Sequence, residues 1–365
     1  MQTNESPRIA IVGGGPGGLT LARILHVHGI AATVFEQDLD ASARTQGGSL
    51  DLHPASGQFA LKQAGLLDEF LKHARYEDQG MRLADRTGKV LVDKVDAHGG
   101  DRPEIDRRLL RALLLDALPE GAVRWDRKLH AVEPTEEGYR LRFEEGPSET
   151  FQLVIGADGV WSRVRPLLSD VKPDYTGLSF IEIGIDEIDD RHPALAALVG
   201  HGMFSVKDGA RRLLAQRNAN GHVRIYITLL LERPSHVERH IDLSSPEAAR
   251  RDLLKRFEGW APDLLALIRV CNDEIVPRPI YALRPGHRWT HRPGLTLIGD
   301  AAHVMSPAGG HGVNMAMLDA AELGRRMVTH PTLDDAVRSY EAAMFARIGP
   351  LAAEVAKGWE SHFKN

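Results

Sequence analysis

Six residues near the start of the chain, Gly13-Gly14-Gly15-Pro16-Gly17-Gly18, constrain its fold more than any other feature. They end Ile9-Ala10-Ile11-Val12, a short apolar run of the kind buried on both faces of a parallel sheet. After them, Leu19, Ala22 and Leu25 recur at helical spacing up to Gly29. Ala32-Thr33-Val34-Phe35 then reads as a second strand, closed by Glu36. Strand, glycine turn, helix, strand and acid make one βαβ unit of about 30 residues. Inside it, Gly13-x-Gly15-x-x-Gly18 has dinucleotide-binding spacing. The first glycine permits the tight turn, the second admits pyrophosphate to the backbone, and the third lets helix and strand pack closely. The helix start offers unpaired N–H groups and a positive dipole end. Glu36, 18 residues beyond Gly18, sits where an acid accepts hydrogen bonds from ribose hydroxyls.

The rest of the composition narrows the class. At 365 residues the chain is long enough for two domains or one large interwoven unit. Its 43% hydrophobic and 26% charged residues are ordinary for a globular protein, and the net charge of −5 counts against a nucleic-acid binder. A single cysteine, Cys271, excludes an internal disulfide framework and a Cys-rich zinc site. None of the 17 histidines stands in a His-x-x-x-His pair with a nearby acid, so no metal is expected. No apolar run is long enough to span a membrane, and the polar start lacks signal-peptide order, so the expected location is cytoplasmic.

Further along, Pro103 to Leu118 reads as a helix dense in arginine, with Arg107, Arg108 and Arg111. Leu153-Val154-Ile155 is another buried-type strand, running into Gly156-Ala157-Asp158-Gly159. From Tyr175 to Leu231 the pattern alternates and carries turn signals such as Asn218-Ala219-Asn220-Gly221, as an antiparallel sheet does. Leu295-Thr296-Leu297-Ile298 ends in Gly299-Asp300-Ala301-Ala302-His303. Leu333 to Phe363 reads as helix, with Gly349-Pro350 expected to bend or break it.

Two of these segments, Asp158-Gly159-x-x-Ser162-x-x-Arg165 and Gly299-Asp300-Ala301-Ala302-His303-x-x-x-Pro307, resemble the paired signatures of single-component (class A) FAD-dependent aromatic hydroxylases. Three runs look more narrowly like the tetracycline-inactivating flavin monooxygenases: Gly47-Gly48-Ser49-Leu50-Asp51-Leu52-His53, Pro103-Glu104-Ile105-Asp106-Arg107 and Trp125-Asp126-Arg127-Lys128-Leu129. The resemblance implies an α/β fold: a Rossmann-like FAD-binding domain with a parallel sheet, an inserted α+β substrate domain with a mostly antiparallel sheet, and a C-terminal bridging helix. It implies boundaries at 1–67, 99–173 and 277–335 for the FAD domain, 68–98 and 174–276 for the substrate domain, and 336–365 for the helix.

By the same resemblance, the cofactor is FAD, with NADPH or NADH as transient reductant and O2 as co-substrate. The cofactor-binding residues are then Gly13, Gly15, Pro16, Gly18, Glu36, Arg44, Asp51, Arg107, Asp158, Asp300, Pro307, Gly310, Gly312, Val313 and Asn314. Asp300 would accept from the ribityl chain, Asp51 would lie beside the flavin, and the loop Pro307–Gly312 would bring N–H groups to the pyrimidine edge of the isoalloxazine. The implied activity is hydroxylation of an aromatic or polyketide-like small molecule through a C4a-hydroperoxyflavin, by a monomer. The flavin carries the chemistry, so no catalytic side chain is assigned. Two departures stand out. Gly310-His311-Gly312 replaces a Gly-Gln-Gly, and Glu182, Met203 and Arg224 stand where tetracycline-degrading members hold the drug with Gln, Arg and His. Such changes count against tetracycline as the substrate. Glu182, Met203, Arg224, Tyr226 and His311 are the candidate substrate residues. The alternatives are another flavin oxidoreductase of halogenase or reductase type, or a ligand-binding flavoprotein without turnover. The five tryptophans never stand two apart, which argues against a halogenase with its Trp-x-Trp-x-x-Pro motif.

Overall fold

The computed structural model describes residues 7–43, 48–94 and 100–363. Its first sheet is parallel and five-stranded, in the order Leu295–Leu297, Leu153–Gly156, Ile9–Val12, Thr33–Phe35, Val123–Arg124. Ile9–Val12 and Leu153–Gly156 are buried along their whole length, which is why both read as uninterrupted apolar runs. Helix Pro16–Val27 packs against helix His311–Thr329 and contributes Leu21 and Leu25 to the core of this sheet. An antiparallel ribbon of Leu129–Thr135, Gly138–Phe143 and Glu149–Phe151 closes on the same core, with Phe143 and Phe151 4.8 and 5.5 Å from the Phe35 ring.

The second sheet has seven strands in the order Val276–Ala282, Asp174–Ile185, Val223–Leu230, Arg211–Arg217, Met203–Asp208, Met81–Ala84, Val90–Lys94. All its pairings are antiparallel except that of Met203–Asp208 with Met81–Ala84. Its period-two alternation sends Ile181, Ile183, Ile225, Ile227, Leu213 and Phe204 into one apolar core shared with helices Pro246–Arg256 and Pro262–Arg269. The opposite face carries Glu182, Tyr226, Arg224 and Met203. Val276–Ala282 hydrogen-bonds within this sheet, which therefore runs past residue 276.

A two-stranded ribbon, Ser49–Asp51 with Glu104–Asp106, stands between the two sheets. The Asn218–Gly221 turn latches onto it: the Ser49 N–H donates to Asn218 Oδ1 at 3.0 Å, and the Ala219 N–H donates to Asp106 Oδ1 at 3.2 Å.

Two local expectations need correction. The segment read as one helix from Pro103 begins with the strand Glu104–Asp106, and its helix spans Arg107–Asp116. Edge pairing with Ser49–Asp51 outweighs helix propensity over those three residues. The C-terminal helix runs unbroken from Leu333 to Phe363 with Pro350 inside it. Ile348, Leu351 and Ala352 pack onto the first core on both sides of the proline, and that packing offsets the lost hydrogen bond.

Candidate active site

The glycine turn is built as its spacing requires. Gly13 has φ +112°, and a Cβ there would collide with the Ala157 carbonyl; a Cβ on Gly18 would collide with the Gly13 carbonyl. Gly15 differs: its Cβ would meet open space. Helix Pro16–Val27 starts with Gly15 as N-cap, without a side-chain cap and without an acid in its first turn, so its first N–H groups remain available to an anion. Glu36 is buried at the end of Thr33–Phe35, where Oε2 accepts from the Gly14 N–H at 2.7 Å and Oε1 from the Asp38 N–H at 3.1 Å.

The two signature aspartates behave as a matched pair of unfilled acceptors. Asp158 Oδ2 accepts from the Arg163 N–H at 2.7 Å, whereas its buried Oδ1 has no partner among the described residues. Burial pushes its carboxyl above the ordinary value. Asp300 begins a short helical turn, Asp300–His303, and no donor bonds its carboxylate among the described residues. Burial raises its carboxyl too, against the nearby charges of His303 and Arg107. Gly299 and His303 are fixed from below by Asp319, which accepts from the Gly299 N–H at 2.9 Å and pairs with His303 Nε2 at 2.6 Å and Arg347 at 2.6 Å. Burial pushes the Asp319 carboxyl up, but His303 and Arg347 together hold it below its ordinary value. His303 is thus buried and committed within the protein. Arg165 is likewise committed, to the carbonyls of Ala301 and Val160.

Asp51, His53, Asn314 and the loop ahead of helix His311–Thr329 form one knot. Asn314 is fully buried: Oδ1 accepts from the His53 N–H, Ser56 Oγ and the Gly57 N–H, while Nδ2 donates to the carbonyls of Asp51 and Gly310. All its hydrogen-bonding capacity is used, so its contribution is to place the backbone of Asp51 against Gly310. A Cβ on Gly310 would lie 2.5 Å from Asp51 Oδ1. Asp51 Oδ2 pairs with His53 Nε2 at 2.8 Å, and the His53 ring meets the His311 ring edge-on at 5.8 Å. Burial, then the neighbouring His53, holds His311 below the ordinary histidine value. Helix His311–Thr329 has Gly310 as a left-handed N-cap, no side-chain cap and no acid in its first turn. The N–H groups of Gly312 and Val313 in that first turn have no intrahelical partner. Pro307 precedes the turn at Ala308–Gly310.

Across from this knot, the polar face of the second sheet brings the candidate substrate residues together. Glu182 pairs with Arg224 on the neighbouring strand and with Arg278 Nε at 3.3 Å. The Tyr226 ring lies 5.5 Å from that of Phe180, and burial raises its phenol. Met203 is opposite Gln216, which is opposite Arg224. Gly48 closes the gap: a Cβ there would stand 3.1 Å from the Tyr226 hydroxyl and 3.5 Å from Gln216 Oε1. Arg107 begins the helix Arg107–Asp116 and lies within electrostatic reach of both Asp300 and Tyr226, joining the two halves of the site. Arg44 lies outside the described residues.

Two residues that sequence reasoning left unassigned belong to this region. Arg111 is buried against the glycine turn, and Glu104 is a buried carboxyl in the strand beside Asp51. Glu104 stands in the run Pro103–Arg107, which assigns it no role, and Arg111 shows only as one of several arginines. Among the described residues, no group of three or more His, Cys, Asp or Glu side chains gathers as a metal site, and no helix is long and apolar enough to cross a membrane.

The uncapped helix ends, the open face at Gly15 and the two unfilled carboxylates fit a long, hydroxyl-rich dinucleotide such as FAD. Comparison with known proteins agrees. The family described as an FAD binding domain matches residues 7–257 and 285–342. Monooxygenase penA of Penicillium thymicola is 32% identical over 398 residues, covering 93% of this chain and 91% of that protein. Among solved structures, HpxO of Klebsiella pneumoniae complexed with FAD and uric acid is similar at TM-score 0.83 and 23% identity, covering 99% of this chain and 90% of that one. The tetracycline destructase Tet(55) shares the fold at TM-score 0.73 and 21% identity, over 98% and 90% of the two chains. A family match over most of its length, with a monooxygenase relative at that identity, makes this chain a member of the FAD-binding-domain family and an FAD-dependent monooxygenase.

Proposed function

We propose that the chain uses NAD(P)H and O2 to hydroxylate a small aromatic or polyketide-like molecule held between the Asp51–His311 knot and the polar face of the second sheet. The observation that carries this reading is the approach of Tyr226 and Gln216 to Gly48, which sets the candidate substrate face directly against the strand that bears Asp51. In this reading the FAD unit comprises the parallel sheet with its flanking helices, and the seven-stranded sheet with its helices forms the substrate unit.

Bound FAD supplies the redox and oxygen chemistry. The protein's part is binding, orientation and exclusion of water. The N–H groups at the start of Pro16–Val27 take the pyrophosphate, and Glu36 takes the ribose of the adenosine end. Asp158 and Asp300 supply acceptors for cofactor hydroxyls, with Arg107 alongside Asp300. Gly312 and Val313 offer N–H groups to the pyrimidine edge of the flavin, while Gly310, whose N–H donates to the Pro307 carbonyl, and Asn314 hold that loop in shape. Phe180, Tyr226 and Met203 give the substrate an apolar and aromatic wall, while the Tyr226 hydroxyl and Arg224 give it polar partners. Glu182 holds Arg224 in place. A pocket that matches polar groups one by one discriminates steeply between related substrates, so this set favours a ligand other than tetracycline.

The test is NADPH oxidation by FAD-loaded protein, with and without a panel of phenols and tetracyclines, following hydroxylated product and peroxide together. Oxidation accelerated by a phenol, with product matching NADPH consumed, is the expected result. Oxidation that no ligand accelerates, and that yields only peroxide, would contradict it.

A further inference from the structure

Arg111, on the helix Arg107–Asp116, is buried, and its guanidinium ends in three acceptors. Nε donates to the Gly14 carbonyl at 3.3 Å, one terminal nitrogen to the Ala41 carbonyl at 3.0 Å, and the other to Asp38 Oδ2 at 3.3 Å. The guanidinium also lies 5.1 Å from the centroid of the Trp125 ring. Gly14 is therefore gripped from both sides, since its N–H is held by Glu36. The loop after Thr33–Phe35 is in turn zipped to the loop after Val123–Arg124: the Asp126 and Arg127 N–H groups each donate at 2.8 Å to the carbonyls of Asp38 and Glu36. One side chain thus ties together the glycine turn, the loop that follows Glu36 and the loop that carries Trp125. In a βαβ nucleotide unit the acid closing the second strand meets the adenosine ribose, so these three loops frame the adenosine end of the site.

We propose that Arg111, with Trp125, is the positioning element of the adenosine end, and that it makes this chain select FAD over FMN. FMN has no adenosine, so the loops after Glu36 and around Trp125 add nothing to its binding, and only the grip on Gly14, at the phosphate turn, is common to both flavins. A lysine at 111 keeps the charge but has no planar fork with which to reach three acceptors in three directions. The inference rests on FAD being the cofactor.

The test uses the full chain stripped of flavin, with Kd for FAD and for FMN measured by calorimetry on the parent, Arg111→Lys and Trp125→Leu. Circular dichroism and thermal unfolding check that each variant is folded. Arg111→Lys is expected to weaken FAD by about tenfold or more while leaving FMN within about twofold. Trp125→Leu shifts the ratio the same way by a smaller factor, and it decides the matter if Arg111→Lys does not fold. An unchanged FAD-to-FMN ratio, or equal weakening of both flavins, would overturn the proposal while leaving the cofactor assignment intact. A folded parent that binds neither flavin would overturn both.

Discussion

Glu104 offers a sharp test of the geometry around Asp51. It lies cross-strand from Asp51 in the ribbon between the two sheets, 9% exposed, with Gln216 Nε2 3.5 Å away. Burial pushes its carboxyl from 4.5 up to about 7; Asp51 and Asp78 add to that rise, and Ser49 and Arg75 oppose it. The folded protein therefore holds this proton more tightly than the unfolded chain does. The resulting stability is complete below about pH 4.5 and is lost as pH rises through about 7. A shift of about 2.5 units corresponds to about 3 kcal/mol once the group is fully ionised. Glu104→Gln keeps the shape and cannot ionise, so at about pH 8.5 it should be more stable than the parent by up to about 3 kcal/mol. For a chain this long, with an unfolding entropy of about 0.8 kcal/mol/K, that is a rise in Tm of about 4 °C. Near pH 4.5 the two proteins should unfold together. Differential scanning fluorimetry of FAD-loaded parent and variant across this range is the assay. A parent–variant difference that is the same at both ends of the range, or a variant less stable at alkaline pH, would refute the placement of Glu104 as a buried and weakly compensated acid.

Other outcomes follow from single contacts. Gly15→Ala places its Cβ in open space at an extended backbone position, so the flavin-free protein should unfold within about 1 °C of the parent while Kd for FAD, by fluorescence titration, rises at least about tenfold. Gly13→Ala should instead destabilise the flavin-free fold by about 2 kcal/mol or more in urea unfolding, because φ is +112° and the Ala157 carbonyl occupies the Cβ position. Asn314→Ala strips five hydrogen bonds and leaves the His53 and Gly57 N–H groups unpaired, which should cost about 2–4 kcal/mol by chemical denaturation and weaken FAD as well. Tyr226→Phe removes a hydroxyl that no described residue bonds, so stability should hold within about 0.5 kcal/mol while KM for an accepted phenol rises and kcat for NADPH oxidation without substrate stays unchanged.

The parts of this protein that could be read directly from its residues are those fixed by local covalent geometry. Gly13 answers to a turn with φ +112° and Gly18 to the close approach of the Gly13 carbonyl five residues before it, and Ile9–Val12 and Leu153–Gly156 declare burial by composition alone. Asp158 and Asp300 were visible because each ends such a strand in a recognisable signature. What stayed hidden depends on distant partners. The role of Arg111 is set by Gly14, Ala41 and Asp38, which lie 97, 70 and 73 residues away in sequence. Glu104 acquires its character only when the ribbon brings it beside Asp51 and Gln216. Asn314 reads as one more residue of the flavin loop until its five partners are counted, four of which come from the Asp51–Gly57 segment. Pro350 misled about a break for a related reason, because the packing that keeps its helix continuous is tertiary.

The central proposal, that this chain inserts one atom of molecular oxygen into an aromatic or polyketide-like small molecule, is tested most directly by isotope labelling. FAD-loaded protein would be supplied with NADPH and the phenol that most accelerates its oxidation, under 18O2 in unlabelled water, and the product read by mass spectrometry. The account predicts a hydroxylated product carrying one 18O atom. A product without label, or the absence of any hydroxylated product while all consumed NADPH appears as peroxide, would contradict it.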